Sequence, residues 1–284
     1  MKIILTKPRG FCAGVNMAVN TLDEAIGRFG VPVYVYHEIV HNTWVVDYFV
    51  RRGVCFVDRL EDVPAGSTLL FSAHGVSPVI RKIAEKRGLR TIDATCPLVN
   101  KVHKEVARFA AEGRKIVLIG HAGHDEVVGI MGEAPESITL IEREQDVARL
   151  TFSPAEIDRL AFLTQTTVSG IEADRIIDAL KKRYPTIEGP PASICFATRN
   201  RQEAVRLLAP EVDTVLVIGS RNSSNSRRLA EIAEAVGTCS YLVDGPDDIG
   251  CGLFLDDETV LITAGASAPE EIVRQCVDVL VDRF

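Results

Sequence analysis

The sequence lacks several features that mark particular classes of protein. It has no CxxC pair, so we do not expect a zinc ribbon or a thioredoxin-type redox site. No apolar run approaches the roughly 18 residues that a membrane-spanning helix needs. Lys and Arg number 32 against 39 Asp and Glu, a net charge of −7. The chain therefore lacks the surplus of positive charge that proteins use to bind nucleic acid or anionic membranes. We expect neither as a partner.

The composition is that of a globular protein. Hydrophobic residues make up 46% and charged residues 25% of the 284 residues, enough for a large core. The seven cysteines are odd in number and widely spaced, unlike a secreted disulfide framework. The N-terminal MKIILTKPRG has no small-residue cleavage site, which indicates a strand and not a signal peptide. We therefore expect a cytoplasmic location.

Internal repetition is the strongest signal, because four landmarks recur three times in the same order. The first landmark is a short strand that leads into a cysteine and then a helix, and its copies contain Cys12, Cys96 and Cys195. The second is an apolar strand, a polar loop and another helix. It places His41, His124 and Ser223 at 29, 28 and 28 residues after the three cysteines.

The third landmark is a strand that ends in the pattern [VI][DE]xxxD[VI], and its copies span residues 57–63, 141–147 and 243–249. The fourth is a strand that ends in a small polar turn, which holds His74, then Thr166 or Thr167, then Ser267. The repeat of about 90 residues alternates strands and helices, which predicts parallel sheets covered by helices. We expect an α/β fold of three pseudo-threefold-related units, over residues 1–95, 96–194 and 195–284.

The three repeated cysteines are candidate metal ligands. In proteins with open α/β sheets, ligands bind beyond the carboxyl ends of the strands. The three cysteine positions would therefore come together if the three units packed around one axis. Three thiolates suit a soft metal centre, either zinc or a 4Fe-4S cluster with one iron left open. We expect the four remaining cysteines to be small buried residues, and these are Cys55, Cys239, Cys251 and Cys276.

A second set of residues is rich in hydrogen-bond donors and poor in Lys and Arg. Its members are His41, His74, His124, Ser223, Ser224, Asn225 and Ser267. We predict all of them at helix N-termini, where backbone N–H groups and the helix dipole attract anions. This set predicts a phosphate or diphosphate site that needs no lysine. The other histidines, His37, His103 and His121, are interpreted as structural.

Glu126 is a candidate proton donor on the same predicted loop as His124. It would serve if burial favoured its protonated form, and otherwise it is a solvated loop residue. Thr166 and Thr167 are candidates for relaying a proton or orienting a hydroxyl group. Their alternative role is helix N-capping, for which Ser and Thr are preferred.

Nine motifs in order give the sequence a recognisable likeness. They are PRGFCAGV, HEIVHN, SAHGVS, DATCPLV, GHAGHDE, TQTT, ICFATRNRQ, NSSNS and TAGASAP. Together they resemble those of the 4-hydroxy-3-methylbut-2-enyl diphosphate reductase family, also called IspH or LytB. The resemblance covers nearly the whole chain.

The resemblance implies a cloverleaf of three α/β units around a 4Fe-4S cluster. Cys12, Cys96 and Cys195 match its ligands, and one iron stays open to the substrate. The seven hydrogen-bonding residues above match those that hold the substrate diphosphate. Glu126 matches the proton donor, Thr166 the threonine near the substrate hydroxyl, and Thr167 is its neighbour. The implied reaction is a reductive dehydroxylation that yields isopentenyl and dimethylallyl diphosphate, with electrons from a ferredoxin or flavodoxin.

One departure from the family pattern is Asp125, which stands where proline often precedes the glutamate. Its charge would favour the protonated form of Glu126 by repulsion. Two rival interpretations remain. Quinolinate synthase also has three α/β units and a three-cysteine cluster, but it needs no net reduction. An iron–sulfur redox sensor or anion-binding module would need no proton donor.

Overall fold

The computed structural model describes residues 1–190, 194–250, 252–255 and 257–283. The chain forms two compact units. The first unit consists of Met1–Asn16, Val40–Gly53 and Phe196–Phe284, and the second of Met17–Ile39 and Val54–Cys195.

The strands are short and most are apolar, as parallel strands covered on both faces require. In chain order they are β1 (Lys2–Leu5), β2 (Val33–Tyr36), β3 (Val54–Val57), β4 (Thr68–Phe71), β5 (Arg90–Asp93), β6 (Lys115–Ile119), β7 (Ile138–Ile141), β8 (Leu160–Thr164), β9 (Thr214–Ile218), β10 (Cys239–Val243) and β11 (Thr259–Ala264).

Helices follow most of the strands. They are α1 (Ala13–Phe29), α2 (Thr43–Arg51), α3 (Pro78–Lys86), α4 (Pro97–Ala111), α5 (Asp125–Met131), α6 (Pro154–Ile157), α7 (Gly170–Arg183), α8 (Phe196–Leu208), α9 (Ser224–Ala235) and α10 (Glu270–Arg283). Within the described ranges, none has the length and apolar character of a transmembrane segment.

The first unit contains one parallel sheet of four strands in the order β1-β11-β9-β10. One core cluster joins strand residues such as Ile262 to Ile272 and Leu280 of α10. A second cluster joins Val217 of β9 to Val205 of α8 and Leu229 of α9. The sheet is thus covered by helices on both faces.

The second unit contains two parallel sheets, with orders β3-β2-β4-β5 and β7-β6-β8. Val106 of α4 belongs to a core cluster with Leu118 of β6. Leu180 of α7 belongs to another with Val117 of the same strand. Alternate residues of β6 therefore pack against different helices, which is the period-two alternation of a strand.

The landmarks of the sequence occupy equivalent places in the three sheets. Each sheet has a second-landmark strand at its centre, which is β2, β6 or β9. It lies between a third-landmark strand (β3, β7 or β10) and a fourth-landmark strand (β4, β8 or β11). The predicted α/β fold with three repeated parallel sheets is confirmed.

The strand before a cysteine joins the sheet of the preceding copy. Strand β5, which leads to Cys96, pairs with β4. Strand β1, which leads to Cys12, pairs with β11. The short segment before Cys195 makes a bridge from Glu188 to Ala161 in β8. Residues 2–5 thus lie in the sheet of the C-terminal segment, while the division into 1–95, 96–194 and 195–284 stays a prediction.

Candidate active site

The three repeated cysteines have equivalent local structures. Cys96 is the N-cap of α4, and Cys12 and Cys195 come directly before α1 and α8. Each cysteine N–H donates at 3.0 Å to the carbonyl of the second residue after a fourth-landmark strand. The pairs are Cys12 with Ala266, Cys96 with Ala73, and Cys195 with Thr166. The repeat seen in the sequence is therefore a repeat of hydrogen bonding as well.

The environment of these thiols fits a sulfur-ligated metal group. All three cysteines are half-buried, and the N–H of Val15 donates to Sγ of Cys12 at 3.4 Å. Hydrogen bonds to sulfur and a nearby helix N-terminus both stabilise a negatively charged sulfur ligand. Iron in clusters and zinc both take such ligands, so the donor set fits either.

The expectation that the other cysteines are buried is confirmed for one of them and wrong for two. Cys276 on α10 is buried, and burial raises the pKa of its thiol to about 12, with the charge of Asp248 adding to the rise. Cys55 and Cys239 are exposed, so the prediction is wrong for them. Both lie on strands at sheet edges, where one side of the strand has no neighbour. Cys251 lies outside the described residues.

His41 lies in the first unit, in the loop before α2. The next residue, Asn42, is the helix N-cap, and its Oδ1 accepts from Val45 N–H at 3.0 Å. Ser267 Oγ donates to the carbonyl oxygen of His41 at 2.9 Å. Two residues of the predicted diphosphate set, from opposite ends of the chain, are thus in direct contact.

The N-terminus of α9 carries three more members of the set. Ser223 is the N-cap, and its Oγ accepts from Ser226 N–H at 3.2 Å. Ser224 and Asn225 follow in the first turn, and all three are at most 6% exposed. Both polar atoms of the Asn225 amide are buried and have no hydrogen-bond partner among the described residues. A buried unpaired amide is costly, which indicates a place for a polar ligand.

A glycine at the end of β11 lets the start of α9 approach the sheet. A Cβ atom on Gly265 would collide with Oγ of Ser226 and would come within 3.6 Å of Asn225 Nδ2. Only glycine leaves this space. The close approach fixes where the Asn225 amide lies relative to the end of the strand.

Glu126 and Thr166 form a buried pair in the second unit. Thr166 N–H donates to Glu126 Oε1 at 2.7 Å, and Thr166 Oγ1 donates to Oε2 at 2.8 Å. Glu126 is 2% exposed and Thr166 is 5% exposed. Glu126 is the second residue of α5 and not a loop residue, so the interpretation as a solvated loop residue is wrong. A carboxylate held in this way is placed to exchange a proton with a neighbouring group.

The two threonines have different positions in the repeat. Thr166 is equivalent to Ala73 and Ala266, whereas Thr167 is equivalent to His74 and Ser267. Thr167 Oγ1 accepts from Gln165 Nε2 at 2.9 Å. Neither threonine caps α7, whose N-cap is Ser169, so the capping alternative is wrong.

His74 and His124 lie together in the second unit, with ring centroids 5.8 Å apart. His124 is the N-cap of α5, and its Nδ1 accepts from Glu126 N–H at 3.2 Å. This assignment leaves Nε2 as the nitrogen that carries hydrogen and can donate. Ser72 Oγ lies 3.3 Å from His74 Nδ1.

The prediction that every member of the set stands at a helix N-terminus is wrong for His74 and Ser267. Each follows its strand by three residues and precedes the start of the next helix, Pro78 or Glu270. A turn intervenes in both cases. The hydrogen-bonding capacity of these two residues therefore comes from their side chains and not from a helix end.

Asp125 lies among imidazole rings. Its carboxylate oxygens are 4.0 Å from Nδ1 of His37 and 4.0 Å from Nδ1 of His74. Burial raises the pKa of the Tyr36 phenol, and the charge of Asp125 adds to the rise. Asp125 thus contributes negative charge around the His74 loop, and its effect on Glu126 stays a prediction.

The His74 loop rests on a buried histidine that the sequence patterns did not mark as part of the site. A Cβ on Gly75, whose φ is +75°, would come within 2.8 Å of Nε2 of His103. His103 Nδ1 is 2.7 Å from a Glu133 carboxylate oxygen. The three side chains around Gly75 include Thr95 and Val99, which flank Cys96. The loop that carries His74 and the segment that carries Cys96 are therefore packed together.

Asp93, at the end of β5, holds the segment before Cys96. Its Oδ1 accepts from Thr95 N–H at 2.9 Å and from the Thr95 hydroxyl, and Arg81 Nη1 donates to Oδ2 at 2.8 Å. Burial acts to raise the pKa of this carboxyl, but the hydrogen bonds from Thr95 and the charge of Arg81 outweigh it and lower the pKa.

Comparisons with known proteins agree with this architecture. The LytB protein family model matches residues 3–281. The chain is 58% identical over 285 residues to a 4-hydroxy-3-methylbut-2-enyl diphosphate reductase of Rhodopirellula baltica, covering 100% of this chain and 89% of that protein. It is 52% identical over 278 residues to the same reductase of Aromatoleum aromaticum, covering 98% and 88%.

A solved structure also matches nearly the whole chain. The E-1-hydroxy-2-methyl-but-2-enyl-4-diphosphate reductase of Plasmodium falciparum superposes with a TM-score of 0.94 at 40% identity, covering 99% of this chain and 88% of that one. A second solved reductase, described as the terminal enzyme of the non-mevalonate pathway, gives a TM-score of 0.69 at 31% identity.

The fold and these matches define an enzyme of the α/β class that acts as a reductase. More narrowly, the chain belongs to the LytB protein family. The resemblance seen in the nine motifs is confirmed, and family membership is consistent with an iron–sulfur cofactor.

Proposed function

We propose that this protein reduces (E)-4-hydroxy-3-methylbut-2-enyl diphosphate to isopentenyl diphosphate and dimethylallyl diphosphate. The reaction breaks the allylic C–O bond, consumes two electrons and two protons, and releases water. The proposal is supported by family membership at 58% identity. The observation that carries the chemistry is the buried pair of Glu126 and Thr166, because removal of a hydroxyl group needs a proton donor.

We assign a 4Fe-4S cluster to Cys12, Cys96 and Cys195, with one iron that has no protein ligand. Support comes from the three equivalent slots, each before a helix, and from the N–H that Val15 directs at the sulfur of Cys12. Such a cluster supplies electrons singly and a Lewis-acidic iron. Zinc fits the thiols equally well but cannot transfer electrons, and the reduction requires them.

We assign binding of the substrate diphosphate to seven residues with hydrogen-bonding side chains. They are His41, His74, His124, Ser223, Ser224, Asn225 and Ser267. The unpaired amide of Asn225 and the helix N-terminus at Ser223 support this role, because both favour an anionic oxygen. The Nε2 hydrogen of His124 is a further donor.

We assign proton donation to Glu126. Thr166 holds both carboxylate oxygens, so it orients the acid, and its hydroxyl is a group through which a proton can pass. The carbonyl of Thr166 also fixes Cys195 N–H at 3.0 Å, which links the acid to a cysteine segment. Thr167 ranks second as a contact for the substrate.

The electron donor and the cellular location are part of the proposal. We propose a ferredoxin or a flavodoxin as the donor and the cytoplasm as the location. A small artificial donor replaces the protein donor in the test that follows.

The test is an anaerobic assay with reduced viologen and the allylic diphosphate. We expect two viologen molecules to be oxidised for each substrate consumed, with both isomeric products detected by NMR. Cys96→Ser should lose iron and activity together, whereas Cys55→Ser, at an exposed position of the edge strand β3, should keep both. An iron-loaded protein that oxidises no viologen, or that forms neither product, would contradict the proposal.

A further inference from the structure

Arg201 in α8 has the largest fully buried side chain among the residues that the structure describes, at 2% exposure. Taking a guanidinium group out of water is unfavourable unless hydrogen bonds and charge interactions offset the loss of hydration. An apolar residue of similar volume would fill the same space without that cost. The position of this cation therefore needs an explanation beyond packing.

The guanidinium group binds three backbone carbonyls of the first unit. Nη2 donates to Gly10 at 2.6 Å, Nη1 to Ala197 at 3.0 Å, and Nε to Ala264 at 3.3 Å. The planar fork of arginine can reach three carbonyls in different directions, whereas the single ammonium of lysine cannot hold all of them at once. Arg201 thus joins three separate segments of backbone.

Each of these segments leads to a residue of the proposed site. Gly10 precedes Cys12 by two residues, and Ala197 follows Cys195 by two residues. Ala264 ends β11, and three residues later Ser267 donates to the carbonyl of His41. The side chain of Arg201 therefore contacts the backbone two residues from Cys12, two residues from Cys195 and three residues from Ser267.

The segment before Cys12 is also attached on either side of Gly10. Cys12 N–H donates to Ala266 at 3.0 Å, and Arg9 pairs with Glu270 at 3.0 Å. Gly10 lies between them with φ of +72°, and its carbonyl oxygen accepts the hydrogen bond from Arg201 Nη2. Removing the guanidinium group would remove the attachment of Gly10 itself and so loosen the turn immediately before the cysteine.

The positive charge of Arg201 matters because the proposed cluster and the substrate diphosphate are both negatively charged. The predicted set of seven hydrogen-bonding residues contains no Lys or Arg to offset that charge. A sulfur-ligated cluster becomes more negative when it is reduced, and a fixed buried cation favours the more negative state. Charges act strongly where water is excluded, and this buried guanidinium group is hydrogen-bonded to Gly10, two residues before Cys12.

Resting on the proposed function, we infer that Arg201 is a positioning residue that fixes the Cys12 segment and that its buried positive charge eases reduction of the bound cluster. Two properties are thus separable, the hydrogen-bonding fork and the charge. Lysine keeps the charge and loses the fork, while glutamine and methionine lose the charge.

The test compares anaerobically purified Arg201→Lys, Arg201→Gln and Arg201→Met with the wild-type protein. Arg87→Met is the matched control, because Arg87 also donates to backbone carbonyls, those of Val63 and Glu61, but in the second unit, which does not contain Cys12. The measurements are hydrogen–deuterium exchange of the peptide containing Cys12, iron and sulfide per chain, and the midpoint potential from an EPR-monitored titration.

We expect all three Arg201 variants to raise exchange in the Cys12 peptide at least tenfold, with no such change for Arg87→Met. In the glutamine and methionine variants we expect the equilibrium constant for reduction of the cluster to fall about tenfold, which lowers its midpoint potential by about 59 mV for a one-electron couple. In the lysine variant the midpoint potential should stay near that of the wild type. If methionine prevents folding, the comparison of lysine with glutamine carries the test.

Unchanged exchange at Cys12 would overturn the positioning role, even if iron were lost. Equal potentials for the lysine and glutamine variants would overturn the role of the charge. A wild-type protein without iron would instead contradict the proposed function, and the exchange measurement would still decide the positioning role.

Discussion

Replacing Glu126 by glutamine separates the chemistry of this side chain from its structural contacts. The carboxylate accepts two hydrogen bonds from Thr166, at 2.7 and 2.8 Å. Glutamine can keep both, because its oxygen accepts the N–H and its amide donates to the hydroxyl oxygen once that hydroxyl rotates. Replacing a charged acceptor by a neutral one costs about 1 kcal/mol per bond, so we expect a loss of about 2 kcal/mol in the free energy of unfolding.

The effect of Glu126→Gln on turnover should be far larger than its effect on stability. Loss of a positioned proton donor lowers kcat by about 10²–10⁴-fold, while KM should change little because the diphosphate contacts remain. The assays are viologen oxidation under anaerobic conditions and urea unfolding. Glu156→Gln is the control, because Glu156 accepts both the N–H and the hydroxyl of Ser153 at 2.8 Å on the surface. A kcat for Glu126→Gln within threefold of wild type would refute the assignment.

Four further predictions test other parts of the structure. Asn225→Ala should leave urea stability equal or higher, because it removes two buried unpaired atoms, yet raise KM at least tenfold; unchanged KM contradicts the assignment. Gly75→Ala should destabilise by about 2 kcal/mol or more, from the positive φ and the contact with His103, and a stable variant in urea would disprove that packing. The pKa of Asp93 is lowered in the folded protein, so its carboxylate stabilises the fold above the ordinary pKa of 3.8, and this stability is lost as the pH falls below that value. The wild type should therefore lose more stability to urea between pH 5 and pH 3 than Asp93→Asn. Equal losses of stability in the two proteins would contradict this prediction. Cys276, with its pKa raised to about 12, should resist iodoacetamide at pH 8.5 in the native protein while the exposed strand cysteines react, and native-state labelling would show that it is accessible.

The sequence predicted the fold class well because its signals were local. Apolar strands, turns and helices each leave a periodic pattern, and their threefold repetition indicated three parallel sheets. The pairing of β1 with β11 was not predictable in the same way. Strand pairing across more than 250 residues depends on the packing of the whole sheet, and a short strand such as KIIL carries no mark of its partner.

The sequence predicted which residues form the candidate site better than it predicted how they are arranged. The repeat left Thr166 and Thr167 as alternatives, and only the hydrogen bonds to Glu126 and Cys195 distinguish them. Whether Glu126 was buried could not be judged, because the short helix α5 begins one residue earlier without a strong periodic pattern. Arg201 gave no signal at all, since a buried arginine looks like a surface arginine in a sequence and its partners are backbone carbonyls.

Iron and sulfide analysis, combined with a Mössbauer spectrum of the anaerobically purified protein, tests most directly whether three cysteines hold the cluster. We predict about four irons and four sulfides per chain, a spectrum in which one iron differs from three, and loss of the signal in Cys12→Ser, Cys96→Ser and Cys195→Ser. Stoichiometric zinc without sulfide, or a Cys96→Ser protein that keeps its full iron content, would contradict the account.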